Sequence, residues 1–178
     1  MNRTELAALV RAMPASVRAL NRDLLRRVAT LPRLRPEWLT DVTPLLTVAG
    51  NEVTLLLRGM VLPSVANLRE DWAEHYRLTK WQRRVVRDAL ALRAPPSLGR
   101  ARGSWVVRLT RAATAELDDD NLSSAFKAVR DAVAAWLGVD DSPRSPVRWK
   151  YAQERVKHRA ERLVRIDLRP CRRAKEAP

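Results

Sequence analysis

Between residues 43 and 169 the apolar positions change period several times, and each change marks an element. Leu45–Val48 and Val53–Leu57 flank Ala49-Gly50-Asn51-Glu52, which predicts a β-hairpin. Leu78, Trp81, Val85, Ala89 and Leu92 recur every three or four residues, the core stripe of a long helix from about Arg69 to Arg93. Trp105, Val107 and Leu109 alternate with Val106, Arg108 and Thr110, which is a strand. Leu122, Ala125, Phe126, Val129, Val133 and Trp136 return to the helical period, and Gly138 ends it. Val147–Ala152 and Leu163–Leu168 are two more strands around the polar segment 153–161. Upstream, Val17, Leu20, Leu24, Val28 and Leu31 make one apolar stripe on a helix over 3–31 that Pro14 punctuates. Pro32 and Pro36 close that region. The expected architecture is an α/β (α+β) domain over 43–169, a small mixed sheet with two main helices. An N-terminal helical extension, 1–42, precedes it, and a basic flexible tail, 170–178, follows.

Composition narrows the function. A chain of 178 residues with 46% hydrophobic and 30% charged residues can bury one real core and carry a modest appendage. The lone cysteine, Cys171, excludes an intramolecular disulfide and a cysteine-based zinc site, and it fits a reducing cytoplasm. No apolar run is long enough to cross a membrane. Arg11 and Arg18 interrupt any secretory signal core, and Glu5 and Asp23 argue against a transit peptide. The net charge of +14 points to a polyanionic partner, nucleic acid before a membrane surface. On the long helix Arg77, Lys80, Arg84 and Arg87 share one stripe, and a polyanion relieves their mutual repulsion. Arg69, at the start of that helix, joins Arg100 and Arg102 in the Pro95–Gly103 loop as further DNA-facing candidates. Arg18, Arg22 and Arg26 read instead as a solvated face.

Against this basic background stands Asp118-Asp119-Asp120-Asn121, with a second acidic pair, Asp140-Asp141, twenty residues on. Adjacent carboxylates repel, and a divalent cation is their usual counter-ion; oxygen ligands suit Mg²⁺. The triplet falls where a strand gives way to a helix. If the chain is still extended there, Asp118 and Asp120 point the same way and converge on one cation. The following helix opens its free N–H groups toward phosphate oxygens. Capping by Asp120 or Asn121 is the plainer reading, and it accounts for one or two acids but not for three and a distant pair. An EF-hand loop from Asp118 fails because Ser123 and Val129 stand where Gly and Glu are needed. His75 and His158 stand alone and read as surface or core histidines.

Taken together, Asp118-x-Asp120-Asn121-Leu122, Lys127-x-x-x-Asp131 and Asp140-Asp141 resemble the RusA-like Holliday junction resolvases of phages and prophages. Leu62-Pro63-Ser64-Val65-Ala66-Asn67 resembles the Pro-Ser-x-Asn segment of that family, and the resemblance covers roughly 53–168. It implies a homodimeric, Mg²⁺-dependent (Mn²⁺ as a substitute) endonuclease of branched DNA, acting in recombination and repair. Asp118, Asp120 and Asp141 would then be the metal ligands and Lys127 the active-site lysine. Asn121 and Asp140 would support the ligands from beside them. The chain departs from the family pattern at the lysine. Ser124 holds the usual place, and Lys127 lies seven residues past Asp120, about 10 Å along a helix. A short insertion after Asn121 accounts for the shift. An i, i+4 surface pair of Lys127 with Asp131 is the alternative.

A straight helix over 121–137 would span roughly 25 Å. Asp141 would then lie too far from Asp118 and Asp120 to meet them within one subunit, and an antiparallel dimer would share its sites; a kinked or short helix is the competing explanation. Two other functions remain open at this point. One is a nucleic-acid-binding protein on the same fold that does not cut. The other is a basic structural protein in which the acids only cap a helix.

Overall fold

Residues 42–63, 72–98, 104–140 and 145–171 are described in the computed structural model. Their elements run β1 (Thr43–Ala49), β2 (Glu52–Arg58), α1 (Trp72–Leu90), β3 (Trp105–Ala113), α2 (Asp119–Ala125), α3 (Lys127–Leu137), β4 (Val147–Arg155) and β5 (Leu163–Pro170). A 3₁₀ turn, Arg159–Glu161, joins the last two strands. The class is the expected α+β, with one five-stranded mixed sheet ordered β1-β2-β5-β3-β4. The helical extension expected upstream and the end of the basic tail lie outside the described residues.

The predicted hairpin forms with a two-residue loop, because Ala49 pairs with Glu52. Gly50 adopts a φ of 59° at the first loop position, the conformation that a II′ turn asks of glycine. β5 pairs antiparallel with both β2 and β3, while β3 and β4 are parallel. A parallel pair needs a crossover, and α2 with α3 supplies it. One register row, Leu46–Leu55–Ile166–Leu109–Tyr151, runs across all five strands on the helix-covered face. Leu55 and Leu109 on that face are fully buried. Each such side chain contributes about 1.5–3 kcal/mol by leaving water.

α1 and α3 pack on one another over this face. Leu78, Trp81, Val85 and Ala89 are buried as the spacing requires, but Leu92 is 39% exposed. The helix stops at Leu90, ahead of Pro95-Pro96, and Val86 and Leu90 complete the buried stripe instead. The helix expected over 121–137 is broken as well. Phe126 has a ψ of −7°, away from the helical value of about −42°, and separates α2 from α3. The break lets each half meet its own partner: α2 lies on β4, and α3 lies on α1. Phe126 itself is buried, with its ring 5.9 Å from that of Tyr151. Arg130 lies 5.4 Å over the Trp149 ring and binds α3 to the same strand. Gly138 closes α3 in the left-handed conformation, as the sequence predicts.

Candidate active site

The acidic run begins five residues beyond β3, and two polar side chains, one buried and one half-buried, hold the intervening loop. Arg111 sits on β3 in phase with Trp105, Val107 and Leu109, so its side chain enters the core and is only 9% exposed. Its Nη1 donates to the Ala115 carbonyl at 2.7 Å, and its Nε donates to the Leu62 carbonyl at 3.0 Å. Burial, and then the charge of Arg162, lowers its pKa from the ordinary guanidinium value. Gln153 on β4 closes a two-way amide pair with Leu117, accepting from its N–H at 2.9 Å and donating to its carbonyl at 2.6 Å. One guanidinium therefore joins the loop that opens at Leu62 to the loop that leads into the acids. Neither Arg111 nor Gln153 was anticipated as part of the site. The available signal was phase, since each is a polar residue on the apolar phase of its strand.

Asp118 is the N-cap of α2, a role the sequence had offered to Asp120 or Asn121. Its φ and ψ are −67° and 165°, and its Oδ1 accepts the Asn121 backbone N–H at 2.8 Å. Oδ2 accepts from Asn121 Nδ2 at 2.9 Å. These two bonds, backbone first, lower the Asp118 pKa below the usual carboxylate range. Asp119 and Asp120 already belong to the first helical turn, and all three acids are exposed. The extended stretch on which Asp118 and Asp120 would converge is therefore absent. Asp118 stands at the helix mouth as its cap, and Asp120 stands one position into the first turn. Beside them, Ser123 Oγ donates to the Asp120 carbonyl at 3.0 Å.

As donors the acids fit a hard cation. They are open to solvent, and each Asp118 oxygen keeps a lone pair beyond its bond to Asn121. Among the described residues no three His, Cys, Asp or Glu side chains gather closely enough to enclose a metal. Asp140 is exposed just past α3, while Asp141 lies outside the described residues. Phe126 divides the helix expected between Asp118 and Asp141, while its N–H still donates to the Leu122 carbonyl and the Arg130 N–H donates to the Phe126 carbonyl across the division.

Lys127 opens α3 directly after the break at Phe126 and is exposed. Its Nζ lies 3.9 Å from Asp131 Oδ1, the surface pair foreseen as the alternative. Arg83 of α1 also pairs with Asp131, which ties the two helices together. Lys127 and Ser124 line a single cleft of ≈ 350 Å³ with Pro63, His75, Gln82 and Arg83. Ser124 and Lys127 thus open on the same space.

The helix stripe is less uniform than its spacing implies. Arg77, Lys80 and Arg87 are exposed, but Arg84 is half-buried and shares the Asp88 carboxylate with Arg87, at 3.6 and 3.4 Å. Arg69, Arg100 and Arg102 fall outside the described residues. No protein-family model matches the chain, and no curated protein does.

Proposed function

We propose that the chain is a RusA-like, Mg²⁺-dependent endonuclease that hydrolyses phosphodiester bonds in branched DNA as a homodimer in the cytoplasm. The observation that carries this reading is the Arg111 bridge. The loop opening at Leu62 and the loop that leads into Asp118, next to the two segments that resemble the family, are far apart in sequence and are joined by one buried side chain. A charged group is buried only where its donors are satisfied, and here they hold the backbone at Leu62 and at Ala115, three residues before the acids. The acids follow the end of β3 in a parallel β–α–β unit, the end of a strand where α/β sheets bind their ligands.

Asp118, Asp120 and Asp141 would hold Mg²⁺, or Mn²⁺ in its place, with Asn121 and Asp140 beside them. When bound, the ion supplies Lewis acidity toward the scissile phosphate. The chain's own part is to orient the acids through the Asn121 bonds and the Arg111 and Gln153 clamps. Lys127, from the cleft at the helix break, offers a cation to phosphate oxygens once it leaves Asp131. Arg77, Lys80 and Arg87 grip flanking phosphates, with Arg69, Arg84, Arg100 and Arg102 as further contacts.

The second reading is a branched-DNA-binding protein without cleavage. It is favoured by the capping role of Asp118 and the pairing of Lys127 with Asp131. Cleavage of a labelled four-way junction in Mg²⁺, beside a linear duplex, separates the two. Paired cuts in the junction alone, abolished by Asp120→Asn, are the expected result. Tight junction binding without any cutting by the wild-type protein would replace the nuclease with the binding protein.

A further inference from the structure

The sheet face turned away from α1 and α3 carries a second basic surface, distinct from the helix stripe. The strand register places its members. Arg148 and Lys150 of β4 lie beside Val106 and Arg108 of β3, and Arg169 and Asp167 of β5 lie on the far side of the same two β3 residues. Arg165 follows one step along β5, opposite Thr110. Arg108, Arg148, Lys150, Arg165 and Arg169 are all exposed.

The local charge balance is uneven. Asp167 is already committed: its Oδ1 accepts from Thr54 Oγ1 at 2.9 Å, and Arg165 Nε lies 2.8 Å from its Oδ2. Arg108, Arg148, Lys150 and Arg169 have no carboxylate partner among the described residues. Arg108 and Lys150 stand directly opposite one another across the parallel pair. Like charges in that relation destabilise a sheet. On α1, by contrast, Asp88 answers Arg84 and Arg87. An external anion on the sheet face would therefore relieve repulsion that no described carboxylate answers.

We propose that this face is a docking surface for the sugar–phosphate backbone of duplex DNA. Charge complementarity argues for a polyphosphate, and the side chains present argue for a duplex. Strand-binding sheets stack bases on exposed aromatic rings. Here the β4 aromatics Trp149 and Tyr151 lie on the opposite phase, against Arg130 and Phe126. The exposed groups at the Val106 and Arg108 end of this face are guanidinium and ammonium groups, with Glu154 at the far end of β4, and such cations contact phosphates without reading bases. Neighbouring strands are about 4.8 Å apart and alternate residues about 6.7 Å, so the cations form a grid rather than a single line. The choice of DNA among polyanions rests on the proposed function; the choice of a duplex does not.

The test is equilibrium binding of the full chain to a labelled linear duplex in EDTA, over a series of salt concentrations. Without divalent metal no cleavage enters, so failure of the nuclease reading leaves the result intact, and the reverse holds for the junction assay. Arg108→Gln/Arg148→Gln/Lys150→Gln removes three cations that have no structural partner. Arg93→Gln/Lys157→Gln/Arg159→Gln, at exposed positions elsewhere, removes the same net charge. The sheet variant is expected to lower the slope of log K against log salt by about three, and to weaken binding at least tenfold. The control variant is expected to change the slope by less than one. Equal losses in both variants, or none in the sheet variant, would overturn the proposal. So would tighter binding of the wild-type protein to a single strand of the same length.

Discussion

Arg108 and Arg111 lie three residues apart on β3, one on each face of the sheet, and they meet opposite conditions. Arg108 is exposed, faces Lys150, and has no carboxylate partner among the described residues. Arg111 is buried, has its fork filled by two main-chain carbonyls, and carries a lowered pKa. The residue type and strand are the same, so phase alone separates a group that waits for an external anion from one that holds two loops. Substitutions along the chain should follow that division, with stability effects on the covered face and salt effects on the open one.

The largest expected effect is at the buried guanidinium. Arg111→Met should cost about 2–4 kcal/mol in urea unfolding, because the buried Leu62 carbonyl and the Ala115 carbonyl both lose their donor. Arg111→Lys should recover little of it, since an ammonium cannot span both acceptors with a fixed fork. Junction cleavage should fall in both. A midpoint within error of wild type for Arg111→Met would show that the bridge does not hold the loops.

Gln153→Ala comes next, at about 1–2 kcal/mol, from the two bonds to Leu117. Thermal unfolding measures it, and an unchanged melting temperature would mean that water replaces the amide.

Asp118 separates capping from catalysis. Asn caps as well as Asp, so Asp118→Asn should leave the melting temperature near wild type while abolishing cleavage; Asp118→Ala should lower both. The pH dependence has a definite sign. The folded pKa of Asp118 is depressed, so its stabilisation is complete above the unfolded value of about 3.9 and fades as pH falls through the folded value. The melting-temperature gap between wild type and Asp118→Ala should be flat at neutral pH and should shrink below the ordinary carboxylate range. A gap that widens in acid would remove Asp118 as the ionised cap.

The smallest stability effect belongs to the open face. Arg108→Gln should change stability by less than about 0.5 kcal/mol yet lower the duplex salt slope by about one. Destabilisation comparable to that of Arg111→Met would erase the distinction between the two faces.

Periodicity reached most of the elements. The hairpin at Gly50, the strand from Trp105 and the stop at Gly138 are local events set by backbone chemistry, and they stand where the pattern puts them. Where the pattern missed, a partner distant in sequence decided. The helix broken at Phe126 serves β4 on one side and α1 on the other. Leu92 has the right spacing for the core but falls beyond the last helical turn.

The candidate site divides in the same way. Sequence alone located the acids and the basic background, since these depend on residue type and order. The capping role passed to Asp118 because the helix begins one residue after it, a boundary that composition does not specify. Sequence determined that β3 would form and that Arg108 and Arg111 would lie on opposite faces, because side chains alternate along any strand. Only the tertiary structure decided which face the helices cover. That choice placed one arginine over the carbonyls of Leu62 and Ala115 and left the other open to solvent, because burial and hydrogen-bond partners come from elements far away in the chain.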